Sequence, residues 1–134
     1  MSDFHVSVPL SARLGSEPFA LSFSGQGYAW LPTLRDALAI GVRPQIAEYL
    51  AAAEELLAPL EEELLPATPH GFAPLAWADS EPAWAHAIAD ASLSTPGILT
   101  AQLAVLESLR AHGIELEDAV TSIGHSQGVL AAAV

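Results

Sequence analysis

The sequence predicts an α/β fold in which a small, partial parallel sheet is flanked by helices. Two short runs, residues 18–23 and 119–123, carry the aromatic and β-branched side chains that are typical of buried strands. The residues between them show helical patterns, and a helical crossover pairs the two strands that it connects in parallel. We therefore expect both strands to end at one edge of the sheet, with the turns that follow them side by side.

The first half of the chain is assigned in order. Residues 1–18 are interpreted as a leader segment, and the first strand runs into a glycine-rich turn at 24–27. A helix is predicted over 31–40, ended by Gly41. An amphipathic helix is predicted to begin at Arg43, with a proline in its first turn.

The second half is predicted to be helical up to the second strand. Trp77 and Trp84 indicate one or two short helices. The next helix is expected to begin at 94–96, with serine or threonine as its N-cap and proline in its first turn, and to end at 112–113. After the second strand, the apolar run 129–134 is expected to form a buried helix.

Charge and composition exclude several classes of function. The chain has 16 acidic residues against 4 basic ones, all of them arginines, and a net charge of −12. Binding to nucleic acid through phosphates, or to an anionic membrane surface, is therefore not expected. The lack of cysteine excludes disulfides and thiolate chemistry and fits a cytoplasmic location. We expect the glutamates at 54, 55 and 61–63 to form a solvated face, and we predict no metal site.

The most informative motif is Gly124-His-Ser-Gln-Gly128, which fits G-x-S-x-G on a strand-to-helix turn. In such a nucleophile elbow the serine, here Ser126, stands clear of the backbone at a strained φ/ψ. Gly124 and Gly128 are needed because side chains two residues before and after the serine would collide. The backbone N–H of Gln127, where the helix starts, can donate to an oxyanion.

The turn after the first strand can supply a second N–H donor for an oxyanion. Gly25 and Gly27 let the backbone approach a substrate closely, and Gln26 between them can offer its N–H. His125 is expected to flank the pocket and is not assigned as the general base, because adjacent side chains on an elbow diverge. The remaining histidines are expected to have surface or capping roles: His5, His70, His86 and His112.

These two motifs together resemble the acyl-CoA:carrier-protein transacylase family, and within it the acetyltransferase region at the start of bacterial, actinobacterial-type type I fatty acid synthases. Glutamine at position 127 suits the type I synthases, whereas free-standing malonyl transacylases more often carry leucine there. The resemblance implies a hydrolase-like core of the malonyl-CoA:ACP transacylase-like fold. Residues 19–134 would form the N-terminal part of an incomplete acyltransferase domain, truncated after the elbow. The runs that carry the resemblance are 23–31, 71–77, 94–102 and 124–131.

The resemblance also implies a mechanism. Ser126 would attack the thioester of a short acyl-CoA while the N–H groups of Gln26 and Gln127 hold the oxyanion. The phosphopantetheine thiol of an acyl carrier protein would then take the acyl group from the acyl-serine. The family's catalytic histidine, and the arginine of its malonyl-specific members, belong to sequence beyond the elbow that this chain does not contain.

We therefore expect a piece of a large, homo-oligomeric synthase that is inactive alone and binds no cofactor of its own. Acetyl transfer is favoured over malonyl transfer by family analogy only. Two alternatives stay open. A serine esterase of the α/β-hydrolase class would add an acidic residue and then a histidine downstream, and more often carries an H-G-G-G-type turn at 25–27. A non-catalytic scaffold segment predicts that Ser126→Ala leaves the parent assembly fully active.

Overall fold

The fold is mixed α/β and mostly helical. The structure, a computed structural model, describes residues 17–25, 27, 29–57, 72–79 and 91–133. Most of the predicted leader, and the predicted helix around Trp84, lie outside these residues. The elements in chain order are β1 (Ala20–Phe23), α1 (Trp30–Ala39), α2 (Arg43–Leu57), α3 (Pro74–Asp79), α4 (Ala91–Ala111), a 3₁₀ turn (Leu116–Asp118), β2 (Thr121–Gly124) and α5 (Gly128–Ala132).

The two strands form a parallel sheet, as the crossover argument predicts. Phe23 pairs with Gly124, so β1 and β2 end at the same edge. One further backbone bond extends the pairing into the turn, because the His125 N–H donates to the Phe23 carbonyl at 3.1 Å. The expectation that the turns after the two strands lie side by side is confirmed.

Glycines end two of the helices where the sequence predicts it. Gly41 follows α1 with φ of +97°, and Gly113 follows α4 with φ of +75°. Both conformations favour glycine, because a side chain strains the left-handed region of the backbone. The predicted start of the second helix is also confirmed, since α2 begins at Arg43 and has Pro44 in its first turn.

Two apolar clusters hold the described elements together, and α4 belongs to both. The first surrounds Trp30 of α1, whose ring centroid lies 6.1 Å from that of Trp77 in α3. Gly97 of α4 lets this ring lie against the helix backbone, because a Cβ there would be 2.6 Å from Trp30 Cδ2. The second cluster joins the sheet to α4 and α5 and consists of Phe23, Leu106, Ile114, Leu116 and Ala131.

The predicted start of the long helix is wrong. α4 begins at Ala91, so residues 94 and 95 are not caps and Pro96 lies inside the helix. Proline has no backbone N–H to donate to the carbonyl four residues earlier, and it is therefore best tolerated in the first turn of a helix. This is why the local sequence predicts that the helix begins near Pro96. Packing of the next residue, Gly97, against the Trp30 ring outweighs that local preference.

The second strand and the last helix are much less buried than their apolar sequences predict. Ile123 of β2 is 59% exposed, and Val129 and Leu130 of α5 are 52% and 54% exposed. Only Gly128 and Ala131 of α5 are buried. A continuous apolar run is typical of an element that other elements cover on both faces. In the described part of the chain, nothing covers the side chains of Ile123, Val129 and Leu130, so they are exposed.

Candidate active site on a strand-to-helix turn

Ser126 adopts the strained backbone conformation that the motif predicts. It lies on the turn between β2 and α5 with φ of +53°, and it is the only non-glycine residue at positive φ within the described ranges. A left-handed conformation costs such a residue about 1–2 kcal/mol, so the surrounding structure must hold it in place. The Ser126 residue is exposed, and a serine presented in this way is available to a substrate from solvent.

The two elbow glycines are explained by close backbone contacts. A Cβ on Gly124 would overlap the backbone of Gly128 and Val129, which confirms the predicted collision across the turn. A Cβ on Gly128 would instead meet the end of β1, at 2.7 Å from the Phe23 carbonyl carbon and 2.8 Å from the Ser24 carbonyl oxygen. Gly128 therefore lets α5 pack onto the neighbouring strand as well as onto its own.

The turn after β1 lies directly against the elbow. Gly25 is buried, and a Cβ there would be 2.6 Å from the His125 carbonyl oxygen and 2.8 Å from Ser126 Cβ. Gly27, two residues on, has φ of +85° with open space around it. Gln26, whose N–H is the predicted second oxyanion donor, lies outside the described residues. The structure thus brings the glycine turn and the serine together.

Gln127 has two separate roles in the geometry of the elbow. Its backbone is helical, and its N–H donates to no backbone carbonyl in the described part of the chain, as expected at a helix start. Within the described ranges, the residue after the serine therefore has an N–H that no backbone carbonyl engages. Its side chain forms a separate contact, in which Nε2 donates to Thr95 Oγ1 of α4 at 2.7 Å. The side chain therefore anchors the elbow to α4.

His125 contributes its backbone to the turn. Its carbonyl accepts the Gly128 N–H at 2.9 Å, while its residue remains exposed. Among the described residues, Ser126 Oγ has no hydrogen-bond partner, so no described histidine is placed as its general base. His112 lies at the end of α4, where ring Nδ1 is 2.7 Å from the Ser108 carbonyl oxygen, in agreement with its predicted capping role.

The polar contacts of the described arginines are to residues outside the elbow and the glycine turn. Arg35 donates to the carbonyls of Trp77 and Ala78 at the end of α3. The other two form ion pairs, Arg43 with Asp79 and Arg110 with Glu107. Within the described ranges, no group of three or more histidine and acidic side chains is arranged to hold a metal ion. No described helix is both long and apolar enough to cross a membrane.

Sequence reasoning missed two polar residues of α4 that hold the site. Thr95 bonds to the Gln127 side chain, and Gln102 Nε2 donates to the Ser24 carbonyl at 2.6 Å. A signal for Gln102 was present in the sequence. It lies four residues after Ile98 and four before Leu106, on a helical stripe whose other members are buried. A polar side chain on such a stripe needs a partner.

No protein-family model matches the chain, and no curated protein matches it at a significant level.

Proposed function

We propose that this chain carries the nucleophile of a serine acyltransferase. The observation that supports the proposal most is the conformation of Ser126, held at φ of +53° between β2 and α5 with Gly25 packed against it. A strained serine on a strand-to-helix turn, beside a glycine turn from the neighbouring strand, is the arrangement that acyl transfer through an oxyanion requires.

In the proposed reaction, Ser126 Oγ attacks the carbonyl carbon of an acyl-CoA thioester. Its proton passes to a general base, which the family resemblance assigns to a histidine downstream of the elbow. The oxyanion accepts hydrogen bonds from the N–H groups of Gln127 and Gln26. The C–S bond then breaks, CoA leaves as the thiol, and an acyl ester remains on the serine. A phosphopantetheine thiol attacks this ester, takes the acyl group and returns the proton to the serine oxygen.

We further propose that the chain is the first part of an acyltransferase domain with a hydrolase-like core, within a cytoplasmic, homo-oligomeric type I fatty acid synthase. Its substrates would be a short acyl-CoA, preferably acetyl-CoA, and the acyl carrier protein domain. These finer statements rest on the resemblance of the two motifs. The elbow geometry itself serves an esterase equally well, so the test must separate transfer from hydrolysis.

The test follows radiolabelled acetyl groups from acetyl-CoA in the full-length gene product that carries this chain. The proposal predicts label on a pantetheine thiol acceptor, and loss of that transfer in Ser126→Ala. Ser122→Ala is the matched control, because its exposed Oγ donates only to the Ala132 carbonyl at 3.2 Å and we expect full transfer. Release of the label as free acetate, independent of thiol, would indicate an esterase. Unchanged transfer in Ser126→Ala would contradict the proposal.

A further inference from the structure

Over residues 94–111 of α4, where burial is described, three polar residues are buried, and one of them differs from the other two. Thr100 Oγ1 donates to the Pro96 carbonyl at 2.8 Å and Ser108 Oγ to the Ala104 carbonyl at 2.7 Å, so both hydroxyls bond within their own helix. Gln102 is 6% exposed, and its Nε2 leaves the helix and donates to the Ser24 carbonyl at 2.6 Å. Its amide is therefore the one that links α4 to the turn after β1.

Packing alone does not account for an amide at position 102. Gln102 Oε1 is buried and has no hydrogen-bond partner in the described part of the chain. An unpaired buried amide oxygen destabilises the fold, whereas an apolar side chain of similar size would not. What the glutamine adds is the single donor bond to Ser24.

The hydrogen bond from Gln102 restrains the glycine turn because Ser24 is the residue at which that turn begins. The Ser24 carbonyl and the Gly25 N–H belong to one planar peptide unit, so a bond that fixes the carbonyl also fixes the start of the turn. Gly25 lies against His125 and Ser126, and a second glycine, Gly27, follows two residues later. A turn with two glycines has little rigidity of its own, so its geometry depends on restraints from outside.

The same helix also holds the other side of the site. Thr95 of α4 accepts the hydrogen bond from Gln127 Nε2, and Gln127 is the residue whose N–H follows the serine. α4 is thus a common support for the two segments that carry the proposed oxyanion donors. Each segment receives one side-chain hydrogen bond from α4, which adds to the restraint from the pairing of β1 with β2.

We propose that Gln102 is a positioning residue for acyl transfer. Its buried side-chain amide on α4 fixes the peptide between Ser24 and Gly25, and with it the start of the glycine turn that lies against Ser126. This inference rests on the proposed function. It predicts a loss in the acylation step, because donor geometry counts in the transition state, and little change in the binding of the acyl-CoA.

The experiment measures single-turnover acylation of Ser126 by acetyl-CoA in the full-length gene product, for three variants. Gln102→Leu keeps a similar volume and removes the donor, and we expect the acylation rate to fall on the order of 10- to 100-fold with KM nearly unchanged. Ser108→Ala is the matched control, because Ser108 is 7% exposed on the same helix and bonds only within it. We expect the wild-type rate for that control.

Gln102→Glu keeps the test decisive if the leucine variant does not fold. A carboxylic acid can donate to the Ser24 carbonyl only when protonated, and burial raises the pKa of such a carboxyl. Its rate relative to wild type should therefore rise as the pH falls. A wild-type rate in Gln102→Leu, or a pH-independent ratio in Gln102→Glu, would overturn the inference while leaving the acyltransferase intact. Wild-type protein that is not acylated at all would contradict the proposed function, and the inference with it.

Discussion

Replacing Gly128 by alanine sets helix propensity against packing at the elbow. Gly128 is the first residue of α5, and propensity alone favours alanine in a helix by about 1 kcal/mol. The new Cβ, however, would overlap the Phe23 carbonyl oxygen and lie 2.7 Å from its carbonyl carbon, whereas ordinary contact begins at 3.4 Å. Because the carbonyl oxygen is the closest atom, α5 or the end of β1 must move by about 1 Å. Overpacking of this kind costs about 1–3 kcal/mol, so we expect net destabilisation.

The same displacement should reduce the reactivity of Ser126. A shift of about 1 Å at a reacting group can lower the rate on the order of 100-fold. The assay is the rate of Ser126 labelling by a fluorophosphonate, measured together with the thermal unfolding midpoint. Gly41→Ala is the matched control, because a Cβ there meets nothing within 4 Å but is strained by φ of +97°. It should lose about 1–2 kcal/mol of stability and keep the labelling rate.

A higher unfolding midpoint in Gly128→Ala, as propensity predicts, or labelling at the wild-type rate would contradict a tight contact between α5 and the end of β1. Equal loss of labelling in Gly41→Ala would show that general destabilisation, and not the local contact with β1, controls the reactivity of the serine.

Three further predictions concern strain, pH and the core. Ser126→Gly should abolish acylation and yet raise stability by about 1 kcal/mol, because it relieves the positive φ; a thermal melt showing a loss would contradict this. The hydrogen bond from Tyr49 to Glu107 raises the pKa of the tyrosine above 10.0. Its stabilising effect is therefore present below pH 10 and lost as the pH rises through the folded-state pKa, a dependence that Tyr49→Phe should remove from alkaline unfolding curves. Ile46→Ala at a fully buried site should cost about 2–5 kcal/mol, whereas Ile123→Ala at an exposed one should cost under about 0.5 kcal/mol by denaturant titration.

The elbow could be predicted from the sequence because each of its requirements is local. Ser126, its flanking glycines and the residue after it fix one another within five positions. The pairing with the glycine turn needed only one non-local step, the rule that a helical crossover joins parallel strands. That rule placed Gly25 at the same edge as Ser126, where the structure has it.

The contacts that hold the site depend on tertiary packing and were not predictable in the same way. Gln102 and Ser24 are separated by 78 residues, and Gln127 and Thr95 by 32, so no local pattern pairs them. The start of α4 was wrong for the same reason, because contact of its Gly97 with an aromatic ring outweighed the local proline signal. The exposure of Ile123 depends on which elements cover the sheet, and an apolar run in the sequence does not specify that.

The role of Ser126 as the nucleophile is tested by peptide mass spectrometry of the full-length gene product after brief incubation with acetyl-CoA. We expect an acetyl ester on the peptide that contains Ser126, which hydroxylamine removes and which disappears when a pantetheine thiol is added. Acetyl groups that reach the thiol acceptor while Ser126 stays unmodified at every time point, or an ester on a different residue, would contradict that role.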